Sequence, residues 1–203
     1  MTRHPSNTFT VAPGITVGCI TADSITTVAT DGIVNAANER LRGGSGVNGA
    51  IHADGGPDIM AECTLLGGCE PGQAKSTTAG LLPARRVIHA VGPRYYAVTT
   101  HEAARLLASA YTVSLEVAAR DGLARVTLPS LSTGSFGYPV EEATRVATRA
   151  VVGYLRAHAG PDAVVREVRW VLRPNDLSDG VALHEVYASA LHDAVSEVSA
   201  PDA

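Results

Sequence analysis

Hydrophobic positions recur along this chain with two different periods, and the changes between them mark out its elements. Thr8–Val11 and Ile15–Ile20 are rich in β-branched residues and are separated by Pro13-Gly14, which predicts two strands joined by a turn. Thr26–Val34 reads as extended with a break at Asp31-Gly32. Val47–Asp54 and Pro57–Leu66 read as helices split at Gly55-Gly56, with Pro57 at a helix start and Gly67-Gly68 at the end. Cys69–Gln73 is a turn, Ala74–Thr78 a short extended piece, and Arg86–Val91 a strand closed by Gly92-Pro93. In His101–Arg120, Leu107, Tyr111, Leu115 and Ala118 share one helical face, and Asp121-Gly122 stops the helix. Arg125–Leu131 is a strand with Pro129 near its end. Pro139, at a first helical position, opens a helix to about His158, with Ala143, Ala147, Ala150, Val151 and Tyr154 inward. Glu167–Leu172 is the last strand, Pro174–Gly180 a loop and Val181–Val198 the last helix, with Pro201–Ala203 a loose end.

The later strands alternate with helices long enough to cross over a sheet, so they should be parallel and covered on both faces. The opening pair has no helix between its members and should be antiparallel. The pattern therefore predicts an α/β fold with a mixed, mostly parallel sheet. Ligands in such folds sit beyond the carboxyl ends of the parallel strands. Two glycine-bearing loops fall there. One follows Ile33-Val34 and contains Gly43, Gly44, Gly46 and Gly49; the other is Ser132–Tyr138. Read alone, each is a tight turn. Two at neighbouring strand ends, the first leading into a helix N-terminus, make a candidate diphosphate clamp built from backbone N–H groups, with Phe136 placed to pack on an attached sugar.

Length and charge narrow the candidates. The chain has 203 residues, 45% apolar and 18% charged, with a formal net charge of −4. That is enough for one sizeable α/β domain. Lys75 is the only lysine and no run of basic residues reaches three, which argues against a broad nucleic-acid-binding face. No Gly-Lys-Ser/Thr follows the first loop, so an ordinary P-loop NTPase is excluded, and the simple dinucleotide fingerprint is missing as well. Cys19, Cys63 and Cys69 form no CxxC pair and fit a reducing compartment better than a disulfide framework. Neither an apolar leader segment nor an apolar run of about 18 residues is present, so the expectation is a cytoplasmic protein without membrane attachment.

Five stretches in order carry a family resemblance: Asp31–Asn38 (DGIVNAAN), Gly43–His52 (GGSGVNGAIH), Gly67–Thr77 (GGCEPGQAKST), Val87–Pro93 (VIHAVGP) and Leu131–Pro139 (LSTGSFGYP). The chain resembles a macrodomain, and specifically the MacroD-type ADP-ribosyl hydrolases. The resemblance spans about Ser24 to Tyr187. It implies a three-layer α/β/α fold over a single macrodomain, residues 1–203 with a ligand-binding core at about 15–198. It also implies ADP-ribose as the ligand and, for most members, no metal; no cofactor and a monomer are expected. By the same resemblance Asn38 meets the distal ribose, Gly44, Ser45, Gly46 and Val47 line the diphosphate and distal ribose, and Ser132, Thr133, Gly134, Ser135 and Phe136 form the second phosphate loop. Ser24-Ile25 falls where the family usually has Asp-Ile for adenine, with Asp23 adjacent. Arg173-Pro174 stands where an aromatic ring often stacks on adenine, so a guanidinium takes that place.

Asn48 replaces the aspartate that MacroD-type hydrolases carry beside the distal ribose. An amide is no general base. It can orient a water while the ligand's own phosphate accepts the proton. The candidate catalytic set is therefore Asn38, Asn48 and His52, the last one helical turn beyond Asn48. For His52 the competing reading is a hydrogen-bonded structural histidine, and His89, inside a strand, reads as structural. Gln73 and Lys75 read as structural or rim residues. Cys63 and Cys69 match no common zinc spacing. Two functions follow: a hydrolase removing ADP-ribose from a protein carboxylate ester, an acetyl group, a phosphate or a nucleic-acid base, or a module that binds ADP-ribose without turning it over.

Overall fold

The computed structural model describes residues 6–197. The calls on Val198 and Pro201–Ala203 lie outside the described residues. The strands are β1 (Ser6–Ala12), β2 (Ile15–Thr21), β3 (Gly32–Ala36), β4 (Ala74–Thr78), β5 (Arg86–Ala90), β6 (Arg125–Leu128) and β7 (Glu167–Leu172). They form one sheet in the order β1-β2-β7-β6-β3-β5-β4. The pairs β2–β7, β7–β6, β6–β3 and β3–β5 are parallel, and the two edge pairs β1–β2 and β4–β5 are antiparallel. The mixed, mostly parallel sheet and the antiparallel opening pair are as the sequence pattern requires.

The helices are α1 (Gly46–Gly55), α2 (Pro57–Leu66), α3 (Thr100–Arg120), α4 (Val140–Ala157) and α5 (Leu183–Glu197). Adjacent strand residues feed opposite faces. Val34, Ile88 and Trp170 join the core under α3, α4 and α5, whereas Ile33, Val87 and Val171 join the core under α1 and α2. A strand buried on both faces has no polar alternation to show, which is why these segments read as continuous apolar runs. Leu107, Tyr111, Leu115 and Ala118 are all buried on α3, as their spacing predicts. On α4, Ala143, Ala147, Val151 and Tyr154 are buried and Ala150 packs at the margin.

Beyond shifts of a residue or two at element ends, four readings differ, each for a local reason. Thr26–Val34 is not one extended run. Ile25–Thr27 forms a 3₁₀ turn because the Ser24 hydroxyl accepts the Thr26 N–H and Thr26 Oγ1 donates to Asp54. The strand expected over Arg125–Leu131 stops at Leu128, since Pro129 has no N–H to give the ladder. Pro139 caps α4 rather than starting it. Val181-Ala182 belongs not to the last helix but to a hairpin, β8 (Leu177–Ser178) with β9 (Val181–Ala182). Its turn residues Asp179 and Gly180 both have positive φ, at 47° and 82°, the backbone a tight two-residue hairpin demands.

Candidate functional site

Strands β2, β7, β6 and β3 are neighbours in the sheet and run in the same direction. The segments leaving their carboxyl ends, Ala22–Ile25, Arg173–Leu177, Pro129–Ser135 and the glycine loop with α1, surround one groove. The groove has two lobes. A larger cavity of about 500 Å³ is lined by Asp23, Ser24, Ile25, Thr133 and Arg173 among others. A smaller one of about 180 Å³ is lined by Ser45, Asn48, Ser132, Ser135 and Phe136 among others. Gly46, Val47, Ser130 and Gly134 line both, so the lobes meet at the N-terminus of α1. Ser45 caps that helix without a side-chain bond, and the first-turn N–H groups are donors with no intrahelical acceptor.

The groove thus brings together Asp23, Ser24, Ile25, Ser45, Gly46, Val47, Asn48, Ser132, Thr133, Gly134, Ser135, Phe136 and Arg173 of the expected residues. Three stand back from its walls. Gly44 belongs to the loop backbone. A Cβ there would lie 3.0 Å from Asn48 Nδ2, and one on Gly49 would lie 2.4 Å from Gly44 O, so the loop packs directly on the first turn of α1. Asn38 closes a turn: its Nδ2 donates to Arg42 O at 2.6 Å and its Oδ1 accepts the Arg42 N–H at 3.1 Å. His52 lies behind Asn48. Burial lowers its pKa, and neither ring nitrogen has a hydrogen-bond partner among the described residues.

Asn48 is buried and its amide is engaged at both ends. Oδ1 accepts from Asn35 Nδ2 at 2.8 Å, and Nδ2 donates to Arg42 O at 2.9 Å. Ser24 turns its hydroxyl onto Thr26, with Oγ 2.6 Å from Thr26 Oγ1, which leaves Asp23 as the exposed carboxylate on that side of the larger cavity. Arg173 pairs with Asp176 at 3.0 Å. Arg94 sits 4.3 Å from the Phe136 ring centre and pairs with Glu39 at 3.1 Å, a cation–π contact that fixes the ring at the edge of the smaller cavity. Lys75 is structural: its Nζ donates to Leu66 O and Gly68 O, at 3.0 and 2.6 Å, at the carboxyl end of α2.

Among the described residues the non-glycine positions with positive φ are Leu41 at 53°, Ser132 at 65° and Asp179 at 47°. Of these only Ser132 lines the groove; such backbone costs on the order of 1–3 kcal/mol at a residue that surrounding contacts must hold. Sequence reasoning missed Ser130, which accepts Tyr187 OH at 2.7 Å and lines both lobes. It was hidden by extending a strand past Pro129. It also missed the hairpin, whose Leu177 faces the larger cavity while Ser178 Oγ donates to Glu141 on α4.

His52, Cys63 and His89 each bring one ligand-type atom to within 4.8 Å of the others. Both nitrogens of His89 are already in hydrogen-bond contact, with Thr77 Oγ1 at 2.8 Å and Asn35 Nδ2 at 3.1 Å. Burial, assisted by the Glu62 charge, pushes the Cys63 thiol up to about 11. An ion would have to take a hydrogen bond from His89 and a proton from Cys63, so the three fit a packed core better than a metal set.

A sheet sandwiched by helices, with its groove at the carboxyl ends of four parallel strands, is a ligand-binding α/β domain by architecture. The Macro domain family model matches residues 34–147, and the chain belongs to the macrodomain family. It is 43% identical over 144 residues to the O-acetyl-ADP-ribose deacetylase of Citrobacter rodentium, covering 69% of this chain and 81% of that one. It is 47% identical over 132 residues to the ADP-ribose glycohydrolase MACROD2 of Xenopus laevis, covering 65% of this chain and 32% of that longer protein. The solved Oceanobacillus iheyensis macrodomain with ADP superposes with a TM-score of 0.84 at 30% identity, covering 97% of this chain and 100% of that one. Among the described residues, no helix is long and apolar enough to cross a membrane.

Proposed function

We propose that this chain binds ADP-ribose in the two-lobed groove and hydrolyses the bond between the distal ribose C1″ and an acceptor, releasing mono-ADP-ribose. The observation that carries the reading is the meeting of the two lobes at the α1 N-terminus. The adenosine half occupies the larger lobe, against Ile25 and beside Arg173. The diphosphate crosses at Gly46, Val47 and Gly134, where backbone N–H groups and the helix dipole favour an anion. The distal ribose enters the smaller lobe towards Asn48 and Phe136. The names of the deacetylase and glycohydrolase relatives support a hydrolase.

No carboxylate, histidine, lysine or arginine is among the residues lining the smaller lobe. Hydrolysis here therefore rests on positioning and on the lability of the bond. An oriented water attacks C1″, the bond from C1″ to the acceptor oxygen breaks, and the proton passes to the ligand's phosphate and on to the departing carboxylate. An ester to an acidic protein side chain suits this site best, because its leaving group needs no protein acid. O-acetyl-ADP-ribose is a further substrate in the same groove, by water attack on the acetyl carbonyl carbon with the ribose oxygen leaving and taking the proton; for ADP-ribosylated nucleic acid the base nitrogen leaves from C1″ and takes the proton that the phosphate relays. No step runs through a metal or cofactor, and the protein acts as a monomer in the cytoplasm.

The doubly engaged Asn48 amide favours a second reading, a reader module that holds ADP-ribose without releasing it. Time courses of label release from mono-ADP-ribosylated protein and from ADP-ribosylated single-stranded DNA separate the two. Release with turnover on either substrate is the expected result. Saturable binding of both with no release would leave the reader.

A further inference from the structure

Asn35 is fully buried and works in two directions at once. Its Nδ2 donates to Asn48 Oδ1 at 2.8 Å and lies 3.1 Å from His89 Nδ1. An amide nitrogen carries two hydrogens, so both bonds form together when His89 Nδ1 is the acceptor. The ring proton then sits on Nε2, 2.8 Å from Thr77 Oγ1, and Thr77 donates its own hydrogen to Thr78 O at 2.9 Å. At the other end Asn48 Nδ2 reaches Arg42 O at 2.9 Å. Every donor in this chain of bonds fixes the sense of the next. It runs from the edge strand β4, through β5 and β3, to the glycine loop.

The sheet register makes the contact. Asn35 and His89 are direct partners in the β3–β5 ladder, and cross-strand partners present side chains to the same face. Ile33, Ile51, Ile59 and Val87 pack beside them in that layer, with the His52 ring 5.9 Å from that of His89. Buried polar groups are tolerated only when paired, and an apolar set of the same volume serves stability as well. What an apolar set cannot do is hold an amide at position 48 in one orientation. Asn35 Oδ1 has no partner among the described residues, so Asn35 acts wholly as a donor.

We propose that Asn35 is a positioning residue for the smaller lobe: it fixes the Asn48 amide, and Asn48 then clamps the Arg42 carbonyl and holds the glycine loop in its binding shape. The effect on ligand rests on the groove being the ADP-ribose site; the clamp itself does not.

Two measurements test it. In ¹⁵N spectra of the wild-type protein, His89 should be the neutral Nε2–H tautomer, and Asn35→Asp should move its proton to Nδ1. A wild-type Nδ1–H tautomer would overturn the relay without any variant being needed. In calorimetry with ADP-ribose, Asn35→Ala and Asn48→Ala should each weaken binding roughly ten-fold, and the double variant should be no weaker than the worse single. Wild-type affinity in Asn35→Ala, or effects that multiply in the double variant, would overturn the positioning role. Failure of the wild type to bind ADP-ribose would count against the functional reading alone. The positioning claim then rests on hydrogen exchange at the Arg42 and Gly49 amides, which are bonded to Asn38 Oδ1 and Ser45 O at 3.1 and 3.2 Å and should exchange faster in Asn35→Asp; unchanged exchange would overturn it.

Discussion

Asn38 and Asn48 donate to one oxygen: the Arg42 carbonyl receives Asn38 Nδ2 at 2.6 Å and Asn48 Nδ2 at 2.9 Å. A backbone carbonyl has two lone pairs, and this one is saturated by two side chains ten positions apart in sequence. The first glycine loop is thereby pinned between the end of β3 and the first turn of α1. Both asparagines brace the glycine loop, and only Asn48 reaches the lining of the smaller lobe.

Replacing Asn48 by aspartate tests the clamp. The carboxylate still accepts from Asn35 but cannot donate to Arg42 O, leaving two acceptors face to face. A lost buried hydrogen bond of this kind costs about 1–3 kcal/mol. Urea unfolding of Asn48→Asp should show that loss with an unchanged m-value. Equal or greater stability than wild type would mean that the Arg42 contact contributes nothing.

Gly49 tests how closely the loop must pack. A Cβ there would lie 2.4 Å from Gly44 O, whereas one on Gly134 meets nothing within 4 Å. Gly49→Ala should displace the loop and weaken ADP-ribose binding by about ten-fold or more, the range expected for overpacking. Gly134→Ala, in the opposite wall, should keep the fold and the melting temperature. Equal melting temperatures for the two variants would argue that the loop yields freely.

His89 gives the protein an acid sensitivity. Burial lowers its pKa from 6.5 to about 3, with the nearby His52 adding to the effect. Cys63 Sγ, 3.5 Å from Nε2, is a neutral neighbour. The unfolded chain therefore binds a proton below pH 6.5 that the folded chain refuses. Stability is complete above that pH and falls as the pH drops towards 3, by up to about 1.4 kcal/mol per pH unit. Denaturation between pH 6.5 and 5, above the titration of ordinary carboxylates, should show the slope, and His89→Gln should reduce it to the part that His52, whose pKa burial also lowers, contributes. An unchanged slope in the variant would assign the sensitivity elsewhere.

The hairpin forms part of the larger lobe through Leu177 and is tied to α4 by the Ser178–Glu141 hydrogen bond. Ser178→Ala should loosen the larger lobe, proposed to take the adenosine half, and weaken ADP-ribose binding several-fold, with core stability within about 0.5 kcal/mol of wild type. Affinity equal to wild type would show that the hairpin is not held by this bond.

What was legible in the sequence was what local chemistry decides. Ile33-Val34 and Val87-Ile88 announce buried strands, and the two glycine-bearing stretches announce loops at strand ends, although Gly46 and Gly49 of the first belong to the opening turn of α1. What was not legible depends on register between distant segments. Nothing near Asn35 in sequence says that His89 faces it across a ladder, or that Arg42 O gathers two amides. Asn38 and Asn48 therefore read as ligand-facing residues when the fold first uses both to shape a loop. Pro129 carried a usable signal, a proline that ends a ladder, and reading it strictly would have released Ser130 into the groove.

Titration of the purified protein with ADP-ribose, wild type beside Gly46→Glu, tests the central claim most directly. Gly46 sits at the junction of the lobes with open space around its missing Cβ, so a glutamate there projects charge and bulk where the diphosphate is proposed to cross; its φ of +60° adds local strain, so the variant's fold is checked by circular dichroism and melting temperature. The expected result is saturable one-to-one binding by the wild type and none by a folded Gly46→Glu. Equal affinity in both, or no binding by the wild type, would contradict the account.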